Sequence, residues 1–289
     1  MASYLKNVAI IGASGSIGKI ILDGLVASSQ FEITVISRKE SEATLPPGPG
    51  VTVLKSDYSD KGLEAAFKGK DVVISAVGAT AFGEQKKFVD AAIRAGVKRF
   101  IPSEFSANSQ NDAVLQLLPL FEQKKELIEY LKSKETDRLT WTGIAASGLF
   151  DWSYGYYLGW GNKSFTLTNQ KALGDAIASV LLHHDKTRNQ FLFIATVETT
   201  QKDILAALEE ESGVKWTVNE TTTDIQVTGA VEKLAAGDFS GAFSLVRATV
   251  YGNTPGLHSN YAKEEKLAND VLGLQLETVS NVVRRVLNK

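Results

Sequence analysis

Residues 8–18, Val8-Ala9-Ile10-Ile11-Gly12-Ala13-Ser14-Gly15-Ser16-Ile17-Gly18, decide the fold. Four consecutive apolar residues read as a strand buried on both faces, and Ile17, Ile20, Ile21 and Leu25 then recur at helical spacing. Three evenly spaced glycines occupy the turn between them. Gly12 permits a tight turn, Gly15 lets the backbone approach a pyrophosphate, and Gly18 lets the helix pack closely on the strand. The helix start, with Ser14, Ser16 and Ile17, offers free N–H groups and a partial positive charge to phosphates. Glycines also mark ordinary turns; the strand before and the helix after raise this spacing to a dinucleotide-binding expectation.

The same strand-then-helix alternation runs through the first half of the chain. Apolar runs at Ile33–Ile36, Val51–Leu54, Val72–Ile74, Phe100–Ile101 and Leu139–Ile144 read as strands. Helices are expected around Leu63–Phe67, around Phe88–Ala95 with Gly96 as its stop, and from about Leu120 to Lys132. Strands that are apolar throughout predict a parallel sheet with helices on both faces, a doubly wound α/β Rossmann architecture. After Ser147 the pattern changes. A strand is expected at Lys163–Leu167, a helix at Lys171–Leu182, a strand at Phe191–Ile194, a helix at Gln201–Glu211 and a strand at Lys215–Val218, with the last stretch mostly helical. This divides the chain into a dinucleotide-binding domain, residues 1–150, and a smaller α/β substrate lobe, residues 151–289, packed on it.

Composition narrows the classes. A hydrophobic share of 44% in 289 residues fills a large core. The formal net charge of -2 and the lack of a basic stripe argue against a nucleic-acid partner. No cysteine is present, which excludes disulfides and zinc–thiolate sites and suits a reducing compartment. The first strand begins too near Met1 for a signal peptide, and no apolar run approaches the roughly 20 residues that span a bilayer. A cytoplasmic protein without membrane or metal partners is expected, with monomer and homodimer both open.

The end of the second strand selects the dinucleotide. An acidic residue there would bind the ribose hydroxyl of NAD, but the chain has Ser37-Arg38-Lys39. A guanidinium suits a 2′-phosphate, so NADPH/NADP is expected, against the plainer reading of a solvated basic pair. Ligands of open α/β sheets lie beyond the carboxyl ends of the strands. Three segments reach that edge: Ala76-Val77-Gly78, Pro102-Ser103-Glu104-Phe105 and Ser147-Gly148-Leu149-Phe150. A Tyr-x-x-x-Lys spacing, Tyr130 to Lys134, falls at the far end of its helix and should point away from the cofactor. Lys124, nearer the start of that helix, is better placed. A desolvated lysine can exchange protons near neutrality, although a surface lysine is the ordinary reading. Phe150, Trp152, Tyr154, Tyr156, Tyr157 and Trp160 wall either a pocket for a flat aromatic substrate or a packing layer. The three histidines show no metal spacing.

These residues resemble the isoflavone reductase-like group, and within it the fungal NmrA-like oxidoreductases. The match is carried by the Gly12–Gly18 loop, by Ser37-Arg38, by the run from Gln85 through Ala95-Gly96-Val97-Lys98-Arg99-Phe100-Ile101-Pro102-Ser103-Glu104-Phe105, and by Phe121-x-x-Lys124. The resemblance implies an extended short-chain reductase with Lys124 as general acid/base. NADPH would lie along Gly12–Gly18, Arg38, Ala76–Gly78 and Ser103, and a phenolic or aromatic metabolite would meet Phe105, Phe150 and Trp152. Two departures stand out: Asn162 to Ala172 is short for the group, and Ser106-Ala107-Asn108 replaces the aspartate or glycine that often follows Ser-Glu-Phe. The alternative function, also found among NmrA-like proteins, is a non-catalytic redox sensor that binds NADP(H) and reports to a protein partner.

Overall fold

The computed structural model describes residues 5–42, 50–135, 138–153 and 161–288. In chain order these form β1 (Asn7–Ile11), α1 (Ser16–Ser28), β2 (Glu32–Arg38), β3 (Val51–Ser56), α2 (Asp60–Phe67), β4 (Val72–Ser75), α3 (Gln85–Ala95), β5 (Arg99–Ile101), α4 (Asp112–Leu117), α5 (Glu122–Ser133) and β6 (Thr140–Ala145). There follow β7 (Gly148–Leu149), α6 (Phe150–Ser153), β8 (Ser164–Thr168), α7 (Gln170–Leu182), β9 (Gln190–Phe193), β10 (Val197–Thr200), α8 (Gln201–Ser212), α9 (Thr223–Ala235), α10 (Ser240–Tyr251), α11 (Tyr261–Glu264), α12 (Asn269–Leu272) and α13 (Val279–Leu287).

The main sheet is parallel, in the order β3-β2-β1-β4-β5-β6-β9. Alternation along each strand divides its side chains between two buried layers. Val8, Ile10, Val35 and Ile74 join Ile21, Leu25, Leu173 and Ile177 from α1 and α7. Ala9, Ile11, Val73 and Phe100 join Phe67, Phe88, Leu127 and Ile128 from α2, α3 and α5. The doubly wound Rossmann reading holds for this sheet. β3 is the exception: it was expected to be buried on both faces, yet it is an edge strand with a partner on one side only, and its Val53 is 53% exposed.

The chain returns to the first layer after residue 150. α7 lies against α1 where Gly24 meets Gly174, so closely that a Cβ on Gly24 would sit 2.4 Å from the Gly174 carbonyl carbon. β9 then pairs with β6 as the seventh strand. The expected substrate segment therefore supplies part of the dinucleotide-binding sheet as well as a lobe of its own. With β7 from the end of the first segment, that lobe builds a second sheet, β10-β8-β7, under α8, α10 and α13. β10 had no counterpart among the sequence expectations, and the strand expected at Lys215–Val218 does not form. Those residues follow the end of α8 irregularly, with the Trp216 indole N–H donating to Ser212 Oγ and Lys215 paired with Glu209. Among the described residues no helix is long and apolar enough to cross a membrane.

Candidate active site

The glycine loop has the shape that its sequence implies. Gly12 holds φ +83°, and a Cβ there would lie 2.5 Å from the Ala76 carbonyl oxygen at the end of β4. A Cβ on Gly18 would lie 2.0 Å from the Gly12 oxygen, so only glycine lets α1 start against the loop. The space at Gly15 is different: its Cβ would meet only the Gly12 oxygen, at 3.3 Å. Gly78, beyond β4, has nothing within 4 Å of its Cβ position. Ser16 opens the helix and Gly15 caps it without a side chain, so among the described residues no side-chain cap covers the first-turn N–H groups of Ser16, Ile17 and Gly18. Ser14 is exposed on this loop. This open, donor-rich cradle fits a pyrophosphate.

Arg38 ends β2, exposed, with its guanidinium carbon 5.5 Å from the centre of the Tyr58 ring. Tyr58 is held at φ 58° and donates its hydroxyl to the Ile36 carbonyl at 3.0 Å, so the ring is a fixed platform. Burial raises the Tyr58 pKa and the Arg38 charge opposes the rise. Lys39 is occupied by Asp57 at 3.7 Å. An exposed guanidinium over a ring fits a 2′-phosphate. Tyr58 was not read from the sequence; a tyrosine after the third strand carries no local signal of a partner twenty residues earlier.

A chain of contacts leads from the loop to the lysine. Ala76 N–H donates to the Ile11 oxygen at 2.8 Å, and Ser103 Oγ donates to the Val77 oxygen at 2.8 Å. Ser103 N–H donates to the Oε1 of buried Gln85 at 2.9 Å. One residue on, the Glu104 carbonyl accepts from Lys124 Nζ at 2.7 Å, and Ser106 Oγ lies 3.0 Å from the same nitrogen. Phe121 and Phe82 place their ring centres 4.2 and 4.8 Å from Nζ and meet each other edge-on. Lys124 is only 3% exposed. Burial lowers its pKa to about 8, with the Glu104 carboxylate pulling the other way. Glu104 is itself buried, and neither of its carboxylate oxygens makes a hydrogen bond. Burial pushes its pKa up, while Lys124 and the nearby Ser109 hydroxyl oppose. Sequence reading singled out Lys124 but not the Phe82 wall or the Ser106 contact.

The segments expected at a substrate are placed unevenly. Phe105, with φ 32°, is buried in the cluster of Ile101, Ala146 and Leu149. Phe150 is buried in the second lobe with Phe165, Leu167 and Tyr251. Both side chains are buried in these clusters, where each anchors its loop. Trp152 is 45% exposed. Tyr154, Tyr156, Tyr157 and Trp160 lie outside the described residues. Tyr130 turns away from the site, as its position predicts, and donates its hydroxyl to Asp90 on α3 at 2.5 Å. The wall beside Lys124 is completed by α4, α9 and α10, whose Val114, Leu115, Ala230 and Leu245 share a cluster with Phe82 and Phe121.

A model of the NmrA-like family matches residues 5–151. The chain is 33% identical over 294 residues to the oxidoreductase aprR of Aspergillus flavus, across 97% of this chain and 98% of that one. It is 34% identical over 125 residues to the isoflavone reductase homolog IRL of Zea mays, across 40% of each. Among solved structures, AtPrR2 with NADP+ and (+)pinoresinol shares the fold with a TM-score of 0.79 over 99% of this chain and 100% of that one, at 18% identity. The chain belongs to the NmrA-like family, as an isoflavone reductase-like member.

Proposed function

We propose that the protein is an NADPH-dependent oxidoreductase that reduces a small aromatic or phenolic metabolite, with Lys124 as general acid/base. One observation carries this reading: a lysine buried between two phenylalanine rings, joined by a short chain of contacts to an open glycine cradle. The names of its relatives agree with it, since they include an oxidoreductase and an isoflavone reductase homologue, and the AtPrR2 structure holds both NADP+ and an aromatic ligand.

When bound, NADPH supplies a hydride. The protein's own groups do the rest. The Gly12–Gly18 loop, with Ser14, Ser16 and Ile17, holds the pyrophosphate by backbone N–H groups. Arg38, backed by Tyr58, holds the 2′-phosphate. Ala76-Val77-Gly78 and Ser103 form the floor beside the lysine. The Phe82 and Phe121 rings exclude water, which keeps the Lys124 proton acidic enough to leave near neutral pH. Trp152 has a free face to offer a planar substrate.

The test is to incubate the protein with NADPH deuterated at C4, in each stereoisomer, and a metabolite extract, and to search products for deuterium. Incorporation that vanishes in Lys124→Ala is the expected result. Confirmed NADPH binding with no incorporation would favour the sensor.

A further inference from the structure

Lys124 has three N–H donors and little access to anything beyond its immediate neighbours. One donor faces the Glu104 carbonyl, one faces Ser106 Oγ, and the Phe121 ring lies 4.2 Å from the nitrogen. Glu104, Phe82 and Phe121 are all buried. Ser106 alone of these partners is partly exposed. Its hydroxyl donates to the Glu104 carbonyl at 2.9 Å while accepting from Lys124 at 3.0 Å. Its main-chain oxygen accepts from both Ala146 and Ser147 N–H at 3.1 Å, which fastens the residue to the end of β6. The hydroxyl is therefore held against a buried proton source on a residue that is itself partly exposed.

We propose that Ser106 is a further catalytic residue, whose hydroxyl carries the proton between Lys124 and the substrate. This rests on the reductase reading above. As hydride arrives at the electrophilic carbon, the neighbouring substrate atom takes the proton of the Ser106 hydroxyl, breaking its O–H bond. Ser106 Oγ takes a proton from Lys124 Nζ in the same step and is restored. Lys124 is left as a neutral amine, and it regains a proton from water through the same hydroxyl once product has gone. To donate outward the hydroxyl only rotates from the Glu104 carbonyl towards the open side. The Glu104 carbonyl cannot replace it, because a carbonyl has no proton to give.

The route is tested first without cofactor or substrate. In protein labelled with 15N-lysine, NMR follows exchange of the Lys124 ammonium protons with water, with Lys124→Ala assigning the signal. Exchange should slow in Ser106→Ala, seen as sharpening of the signal, and recover in Ser106→Thr, which keeps a hydroxyl. Unchanged or faster exchange in Ser106→Ala overturns the relay. The second arm uses NADPH and a substrate that the wild type reduces. Ser106→Ala should lower kcat about a hundredfold, the lower range of what a positioned acid or base contributes, with Ser106→Thr retaining most of it. Full turnover in Ser106→Ala alongside an inactive Lys124→Ala overturns the relay and leaves the role of Lys124 standing. Full turnover in Lys124→Ala overturns the reductase mechanism itself.

Discussion

Lys124 donates to the main-chain oxygen of Glu104 at 2.7 Å, while the carboxylate of the same glutamate is buried without a hydrogen bond. The ammonium thus has its hydrogen bond from one part of the residue and only long-range attraction from the other. Burial pulls the Lys124 pKa down to about 8 while the Glu104 charge holds it up. Burial acts on Glu104 in the opposite direction, raising its pKa. The fully buried Tyr261 on α11 also lies within electrostatic reach of Glu104.

A pH dependence follows from the first partner. With Lys124 as the proposed proton donor, kcat should be level below about pH 8 and fall as pH rises through that value. In Glu104→Gln the charge that raises the lysine pKa is gone, so the falling limb should move to lower pH. A pH profile of kcat for the two proteins checks this. A limb that stays in place, or moves up, means that Glu104 carries no charge in the working enzyme.

Arg38 should set the cofactor preference. In the proposed site its loss would remove a charge-assisted contact with the 2′-phosphate that NADH lacks. Arg38→Ala should weaken NADPH binding by about 1.5–3 kcal/mol, about ten- to a hundredfold, and leave NADH binding unchanged. Fluorescence titration with both dinucleotides measures it. Equal NADPH affinity in mutant and wild type would leave Arg38 as a solvated surface charge on Tyr58.

Gly15 and Gly18 should separate binding from folding. A methyl group on Gly18 collides with the Gly12 oxygen at 2.0 Å, whereas one on Gly15 meets that atom at 3.3 Å and otherwise enters open space. Gly15→Ala should keep a near-normal Tm and lose dinucleotide affinity. Gly18→Ala should lower the Tm. The two measurements are thermal unfolding without cofactor and NADPH titration.

The contact between α1 and α7 should matter to the whole chain. A Cβ on Gly174 would lie 2.8 Å from the Ile20 carbonyl oxygen and 3.0 Å from Gly24 Cα, both backbone atoms that cannot swing aside. Gly174→Ala should cost about 1–3 kcal/mol, the usual range for overpacking. Because α7 belongs to the second half of the sequence and α1 to the first, loss should appear as one lowered unfolding transition. Two separated transitions would show that the halves fold independently.

Much of the first layer was legible in the linear sequence because its rules are local. A glycine at positive φ, a helix starting one residue after Gly15 and a strand with every position apolar are each decided within a few neighbours, and the run from Gln85 to Phe105 identified the group. The strand expected at Lys215–Val218 does not form, because a strand needs a ladder partner as well as suitable residues. β8 found that partner in β10, pairing Val197 with Leu167, while Trp216 hydrogen-bonded to the side chains of Glu209 and Ser212 on α8. Burial of Phe150 likewise depends on β8 and α10, which arrive later in the chain.

By itself the sequence determined the doubly wound sheet, the glycine cradle, the basic end of β2 and the lysine on α5, because periodicity, backbone freedom and charge are properties of neighbouring residues. Only the tertiary structure decided what surrounds that lysine. Phe82, Glu104 and Ser106 come from other segments of the chain, and their distances to Nζ of 4.8, 2.7 and 3.0 Å exist only after β4, β5 and α5 are packed side by side. Desolvation and the Glu104 field, which together set the acidity of Lys124, are properties of that packing and of no residue alone.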